Sequence, residues 1–237
     1  MFIASDALVA RQNVLLSTLP DEDLRHLLER LDVMELRLKQ VLVERGQPIR
    51  HVYFPCTCVL SVLAYMKSGA AVEVGTIGKE GFLGIDLLAG SEIALDTTLC
   101  QVAGTSLRMK AADFNHAIAG DTPLRRITQR YLQAYLSLVS QSVACNQLHT
   151  IEERFSRWLL MTQDRAGSDS FDLTQEFIAE MLGVHRPSVS LVAGAFQQAG
   201  MIKYNRGHVT ILDRQAMEEA ACECYDNIAQ NFRRLRN

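Results

Sequence analysis

The stretch Leu173–Ile202, LTQEFIAEMLGVHRPSVSLVAGAFQQAGMI, limits the fold more than any other part of this 237-residue chain. Thr174 is placed to cap a helix, because its hydroxyl can accept from the free amides of a first turn. Phe177, Ile178, Met181 and Leu182 form the apolar stripe of that helix, and Gly183 stops it. Val184 is the inward residue of the turn. A second helix begins at His185-Arg186, carries Pro187 in its first turn, buries Val189, Val192, Ala193 and Phe196, and ends at Gly200. Ala179 is small enough for two helices to cross closely. Two short helices joined by a glycine turn make a helix-turn-helix.

The residues Met201–Leu212 read as two short strands around a tight turn at Asn205-Arg206-Gly207, which is a wing. From 183 to 212 the charged residues are Arg186, Lys203 and Arg206, with no Asp or Glu, although the whole chain carries a net charge of -3. That balance excludes indiscriminate coating of nucleic acid and leaves a focused basic patch. The second helix of such a motif enters the major groove by its N-terminal residues. His185, Arg186, Ser188 and Ser190 are therefore expected at base edges, with Arg186 able to bond guanine through two donors. Thr174, Gln175, Lys203, Arg206 and His208 are expected at the DNA backbone.

The remaining chain divides by periodicity. Residues 13–39 read as helix, with an acidic start at Asp21-Glu22-Asp23 and Leu24, Leu27, Leu28 and Leu31 on one side. From 40 to 110, runs such as Val41-Leu42-Val43, His51-Val52-Tyr53-Phe54 and Val59–Leu63 alternate with glycine and proline, the pattern of a small antiparallel barrel or roll. Residues 121–148 hold no glycine and open with Asp121-Thr122-Pro123, so one long helix is expected. One stripe is Leu124, Ile127, Tyr131, Ala134, Leu138, Gln141, Cys145 and Leu148; a second is Leu132, Leu136, Val139 and Val143. Two apolar faces need two partners. The roll supplies one, and the same helix of a second subunit is the candidate for the other, with Ile127, Tyr131, Ala134, Leu138, Gln141 and Cys145 in the seam. A further helix runs from about Ile151 to Asp164, Ala166–Ser170 is a turn, and a last helix capped by Asp213 ends in Arg233-Arg234-x-Arg236.

The whole order resembles the CRP/FNR family of bacterial transcription regulators. The carriers of the resemblance are Thr174-x-x-x-Ile178-Ala179-x-x-Leu182-Gly183, then Arg186-x-Ser188-Val189, then Gly200-x-Ile202, together with Val72–Gly78 and Gly81-Phe82-Leu83-Gly84. The resemblance implies an α+β chain: an N-terminal, cyclic-nucleotide-binding-like antiparallel β-roll with flanking helices (1–120), a dimerisation helix (121–149) and a winged helix-turn-helix domain (150–237). It also implies a cytoplasmic homodimer on a two-fold double-stranded operator, RNA polymerase as a partner, and no enzymatic activity. In this family's fold an effector pocket would involve Gly81, Phe82, Leu83, Gly84, Thr97, Thr98, Val139 and Ser140. Cyclic-AMP-binding members have glutamate where Phe82 stands and an arginine near Thr97-Thr98, so a different small-molecule effector is expected. A regulator controlled only by its abundance, and a ligand-binding protein without operator specificity, are the alternatives.

Other chemistry finds little support. The first residues, Met1–Asp6, lack the basic and apolar parts of a signal peptide, and no run approaches the ~18 apolar residues of a membrane helix. No nucleophile elbow or phosphate-binding loop is present. Family members that sense oxygen hold an iron–sulfur cluster on N-terminal cysteines, whereas the first cysteine here is Cys56. The pairs Cys56-x-Cys58 and Cys222-x-Cys224 read as small buried residues, the second pair diverging on a helix. The six histidines show neither H-x-x-H nor H-x-x-x-H spacing, so no metal site and no cofactor is expected.

Overall fold

In a computed structural model describing residues 4–236, the chain begins with three short helices, α1 (Ala4–Ala10), α2 (Val14–Ser17) and α3 (Asp21–Leu28). Met1–Ile3 lie outside the described residues. In α3 the acidic first turn and the buried Leu24, Leu27 and Leu28 follow the sequence pattern. The helix expected over 13–39 does not continue, however. Asp32–Leu36 is strand β1, paired antiparallel from Asp32↔Arg108 to Leu36↔Gly104. Helical spacing loses here to an open sheet edge, whose unpaired amides and carbonyls must be satisfied. Lys39, at φ 63°, turns the chain back into the sheet.

Six more strands complete the roll: β2 (Val41–Val43), β3 (His51–Pro55), β4 (Val59–Tyr65), β5 (Ala71–Ile77), β6 (Thr97–Val102) and β7 (Gly104–Lys110), with α4 (Ile85–Leu88) between β5 and β6. They form two antiparallel sheets, ordered β1-β7-β3 and β2-β6-β4-β5. Helix α5 (Ala111–Ala117) closes the roll, and α6 (Pro123–Leu148) follows. Its 26 residues span about 39 Å at the usual helical rise. Thr122 caps α6 by accepting from the Arg125 N–H, and Pro123 occupies the first turn.

The C-terminal part starts with α7 (Ile151–Ala166), opened by a reciprocal capping box between Thr150 and Glu153. Then come β8 (Ser170–Asp172), α8 (Gln175–Leu182), α9 (Arg186–Gln198), β9 (Ile202–Asn205), β10 (His208–Ile211), α10 (Arg214–Glu219) and α11 (Cys224–Arg233). Strand β8, which starts at the last residue of the expected turn, joins the wing to give the order β8-β10-β9. Nor is the last helix continuous. Asp213 caps α10 as expected, but the chain breaks at Ala220–Glu223 before α11 resumes. One apolar core runs from Leu15 in α2 through Phe82, Tyr131 and Trp158 to Phe232. Among the described residues no helix is long and apolar enough to cross a membrane.

Along α6, the residues expected in the seam are largely covered by the chain itself. Ile127, Tyr131, Ala134, Leu138 and Cys145 are buried within the one chain, and Gln141 is half-buried with its amide donating to Cys224 Sγ at 3.0 Å. The roll and α11 already occupy that face; Asn231 of α11 donates to Ser137 Oγ at 2.8 Å. The second stripe remains open. Leu136 is 56% and Val143 63% exposed, with Leu132 and Val139 half-buried beside them.

Candidate nucleic-acid interface

Helices α8 and α9 form a fixed corner. Thr174 accepts from the Phe177 N–H at 3.2 Å, and Gly183 ends α8 in the left-handed conformation at φ 64°. A side chain at this position would be strained, which is why the turn needs glycine. Ala179 is buried at the crossing with Val189, Val192, Ala193 and Phe196 of α9, and Val184 is half-buried against the same core. With its apolar side used, α9 turns its N-terminal residues outward.

His185, the residue preceding α9, is exposed, and the Arg186 side chain is 65% exposed. Arg186 Nε stands 3.9 Å from Glu176 Oε2. An exposed pair at that distance contributes about 0–1 kcal/mol, so the guanidinium is readily released to a stronger acceptor. Ser188 and Ser190 are half-buried. Ser190 donates to Gln175 Oε1 at 2.6 Å, which brings an expected base reader and an expected backbone contact together. Thr174 is exposed, although its hydroxyl serves the cap.

In the wing, His208 pairs with Asn205 across a two-residue turn, with Arg206 at φ 50° and Gly207 at φ 84°. Both positive values are those of the hairpin turn whose twist matches the strands. Lys203 and Arg206 are exposed. His208 is exposed too, but its Nδ1 lies 2.8 Å from Asp172 Oδ1 on β8, an acid beside the patch that lies outside the stretch 183–212. Two positioning contacts escape the sequence pattern: the Tyr204 hydroxyl donates to the Leu173 carbonyl at 2.6 Å, and the Tyr204 N–H to Gln197 Oε1 at 2.7 Å. They tie the wing to α9 and to the residues leading into α8 across distances that local patterns do not reveal.

The expected effector residues do not gather around an opening. Phe82 is fully buried, with ring centroids 5.8 Å from Phe54, 5.5 Å from Phe114 and 5.3 Å from Tyr131. A Cβ on Gly81 would stand 2.3 Å from the Tyr131 ring, so α6 presses directly on that loop. Leu83 and Gly84 are buried, and Leu83 bridges to Tyr53. Thr98 is buried; Thr97 accepts from the Arg45 N–H at 3.1 Å; Val139 is half-buried and Ser140 exposed. Aromatic rings occupy the interior of the roll.

The roll is bonded to the C-terminal part through buried polar groups. Glu73 of β5 receives the Trp158 indole N–H and the Thr76 hydroxyl, each at 2.8 Å, and lies 2.5 Å from Ser61 Oγ. Ser61 in turn donates to Gln101 Oε1 at 2.8 Å, and the Gln101 amide donates to Thr162 at 2.9 Å. Burial pushes the Glu73 carboxyl above its usual range, against the pull of those donors. A second link joins Arg165 Nε to Glu80 Oε1 at 2.9 Å, both largely buried.

One assembly lies outside every sequence expectation. Cys145, His149, Cys222 and Cys224 place their sulfur and nitrogen donor atoms all within 4.8 Å of one another. The available signal is a cysteine and a histidine four residues apart at the end of α6, a mixed pair that histidine spacing alone passes over. Cys222 and Cys224 do not diverge on a helix, because the chain breaks between α10 and α11. The other thiols are inert: burial raises Cys56 to about 11 and Cys100 to about 12, and pushes Cys58 higher still.

This arrangement is a β-roll joined by a long helix to a winged helix-turn-helix. Residues 153–220 match the profile described as a Crp-like helix-turn-helix domain. No curated protein matches the chain in sequence. Among solved structures, FixK2 from Bradyrhizobium japonicum aligns with a TM-score of 0.68 at 14% identity, covering 81% of this chain and 98% of that one. A CRP-family transcriptional regulator from Thermus thermophilus aligns with a TM-score of 0.66 at 20% identity, covering 79% and 96%. A protein of Eubacterium rectale assigned to the crp/fnr family gives 0.66 at 18%, covering 87% and 96%. The chain carries a Crp-like helix-turn-helix and has the fold of CRP/FNR transcription regulators.

Proposed function

We propose that the chain is a sequence-specific, DNA-binding transcription regulator that works as a cytoplasmic homodimer and catalyses no reaction. The observation that carries this reading is the exposed edge formed by α9 and the wing. There Arg186, Lys203 and Arg206 are exposed, with no Asp or Glu from 183 to 212 and with Glu176 only loosely paired to Arg186. His185, Arg186, Ser188 and Ser190 read base edges; Thr174, Gln175, Lys203, Arg206 and His208 meet the backbone. Bound by a two-fold pair, the half-site centres lie roughly 34 Å apart. The second subunit covers the open stripe of α6 at Leu132, Leu136, Val139 and Val143, an apolar surface that supports self-association. RNA polymerase is the partner through which transcription changes.

The roll responds to an effector other than cyclic AMP, or to none. The ring cluster around Phe82 favours the second possibility, in which abundance alone sets occupancy. Cyclic AMP added to the purified protein is expected to leave its melting temperature and its affinity for operator DNA unchanged. Selection of duplexes from a random pool tests the DNA reading: a recovered two-fold motif supports it, and recovery without any sequence preference contradicts it.

A further inference from the structure

We propose that Cys145, His149, Cys222 and Cys224 bind one zinc-type ion that pins the corner between α10 and α11 to the end of α6. Three thiolates and one imidazole are a closed, four-ligand set of the kind that structural zinc uses. The spacing fits a single ion. With metal–sulfur bonds of about 2.3 Å and metal–nitrogen bonds of about 2.0–2.1 Å, neighbouring donors of a tetrahedron lie about 3.5–3.8 Å apart. Cys145 Sγ is 3.5 Å from Cys222 Sγ, and Cys224 Sγ is 3.5 Å from His149 Nδ1. An iron–sulfur cluster spreads its four protein ligands over two or four irons and needs a wider cage.

The surroundings match the ligand set. His149 Nε2 lies 3.2 Å from Glu223 Oε2, so that carboxylate accepts its proton and leaves Nδ1 free to coordinate. The Gln141 amide donates to Cys224 Sγ at 3.0 Å, a bond that steadies a thiolate. On binding, the three thiols release their protons and three sulfur–metal bonds form with one nitrogen–metal bond. The resulting site carries one net negative charge. Arg157, buried on α7, and Arg154 beside it lie within electrostatic reach of Cys145. The place is mechanically significant: Cys145 is on α6, His149 caps it, and α7 begins two residues later at Ile151. A bound ion fixes the angle at which the winged domain leaves the long helix. Its effect on DNA binding rests on the function proposed above; binding of the ion does not.

The test uses the purified chain, with metal content by elemental analysis and cobalt(II) titration after chelation. About one zinc per chain is expected. Cobalt should give a thiolate-to-metal charge-transfer band and the strong visible absorption of a tetrahedral site. Cys222→Ser and His149→Ala should lose both signals, Cys56→Ser should keep them, and Glu223→Gln should weaken metal affinity about 10–100-fold. Absence of stoichiometric metal together with a featureless cobalt titration of the wild-type chain overturns the proposal, whatever the variants do. A Cys145–Cys222 disulfide in protein purified under reducing conditions overturns it as well. Operator affinity before and after chelation gives a separate readout: an ion-loaded protein that ignores DNA refutes the proposed function and leaves the metal site standing.

Discussion

The reading corner and the interior of the roll handle side chains in opposite ways. Around α9 and the wing, polar groups are exposed and loosely held, as with Arg186 at 3.9 Å from Glu176. Around Phe82 the groups are buried, aromatic and ring-packed, and elsewhere in the roll Glu73 and its partners form a buried polar network that reaches Trp158. A surface that must exchange its own contacts for those of a ligand needs weak internal bonds. A strut that transmits position needs strong ones. The difference points to a DNA-binding end that changes partners and a roll that holds shape.

Substitutions that separate the two regions can break this contrast. Phe82→Ala is expected to have the largest effect, about 3–5 kcal/mol of stability, because the ring sits in a core with no room to collapse. Denaturant melts check it, and a loss under about 1 kcal/mol would mean that the roll is loosely packed and able to open. Glu73→Gln is next. The wild-type carboxyl has its folded value raised, so its contribution to stability is full below the unfolded value of about 4.3 and fades as pH rises through the folded one. The glutamine mimics the protonated form and should lack that fall; identical pH slopes in the two proteins would show Glu73 ionised in the fold.

At the reading corner, Arg186→Ala should leave thermal stability unchanged and cost ~1–3 kcal/mol on operator DNA, relaxing the preference at one base pair. An unaltered selectivity profile would remove Arg186 from the base readers. Arg206→Ala should have the smallest effect, weakening all sequences about equally and lowering the salt slope by about one. Loss on a single sequence would make it a base contact instead.

The sequence made the reading corner legible because its determinants are local: Thr174 as cap, Gly183 as turn, Asn205–Gly207 as hairpin. What stayed hidden depended on distant partners. Asp32–Leu36 looks helical until β7 offers an edge to pair with. The stripe expected at the dimer seam on α6 is the one that the chain's own roll and α11 cover. The proposed metal-ligand set joins residues 77 apart in sequence, Cys145 and Cys222, through a helix break that the apolar spacing from Met217 to Phe232 does not signal. Of the effector residues carried over by resemblance, Gly81 and Phe82 fall where the Tyr131 ring fills the space.

Sedimentation of the purified chain with selected and scrambled duplexes at physiological salt tests the central claim most directly. Two chains should travel with each selected duplex, bound at least about a thousandfold more tightly than the scrambled one. A single chain that holds both duplexes with equal affinity would contradict the account.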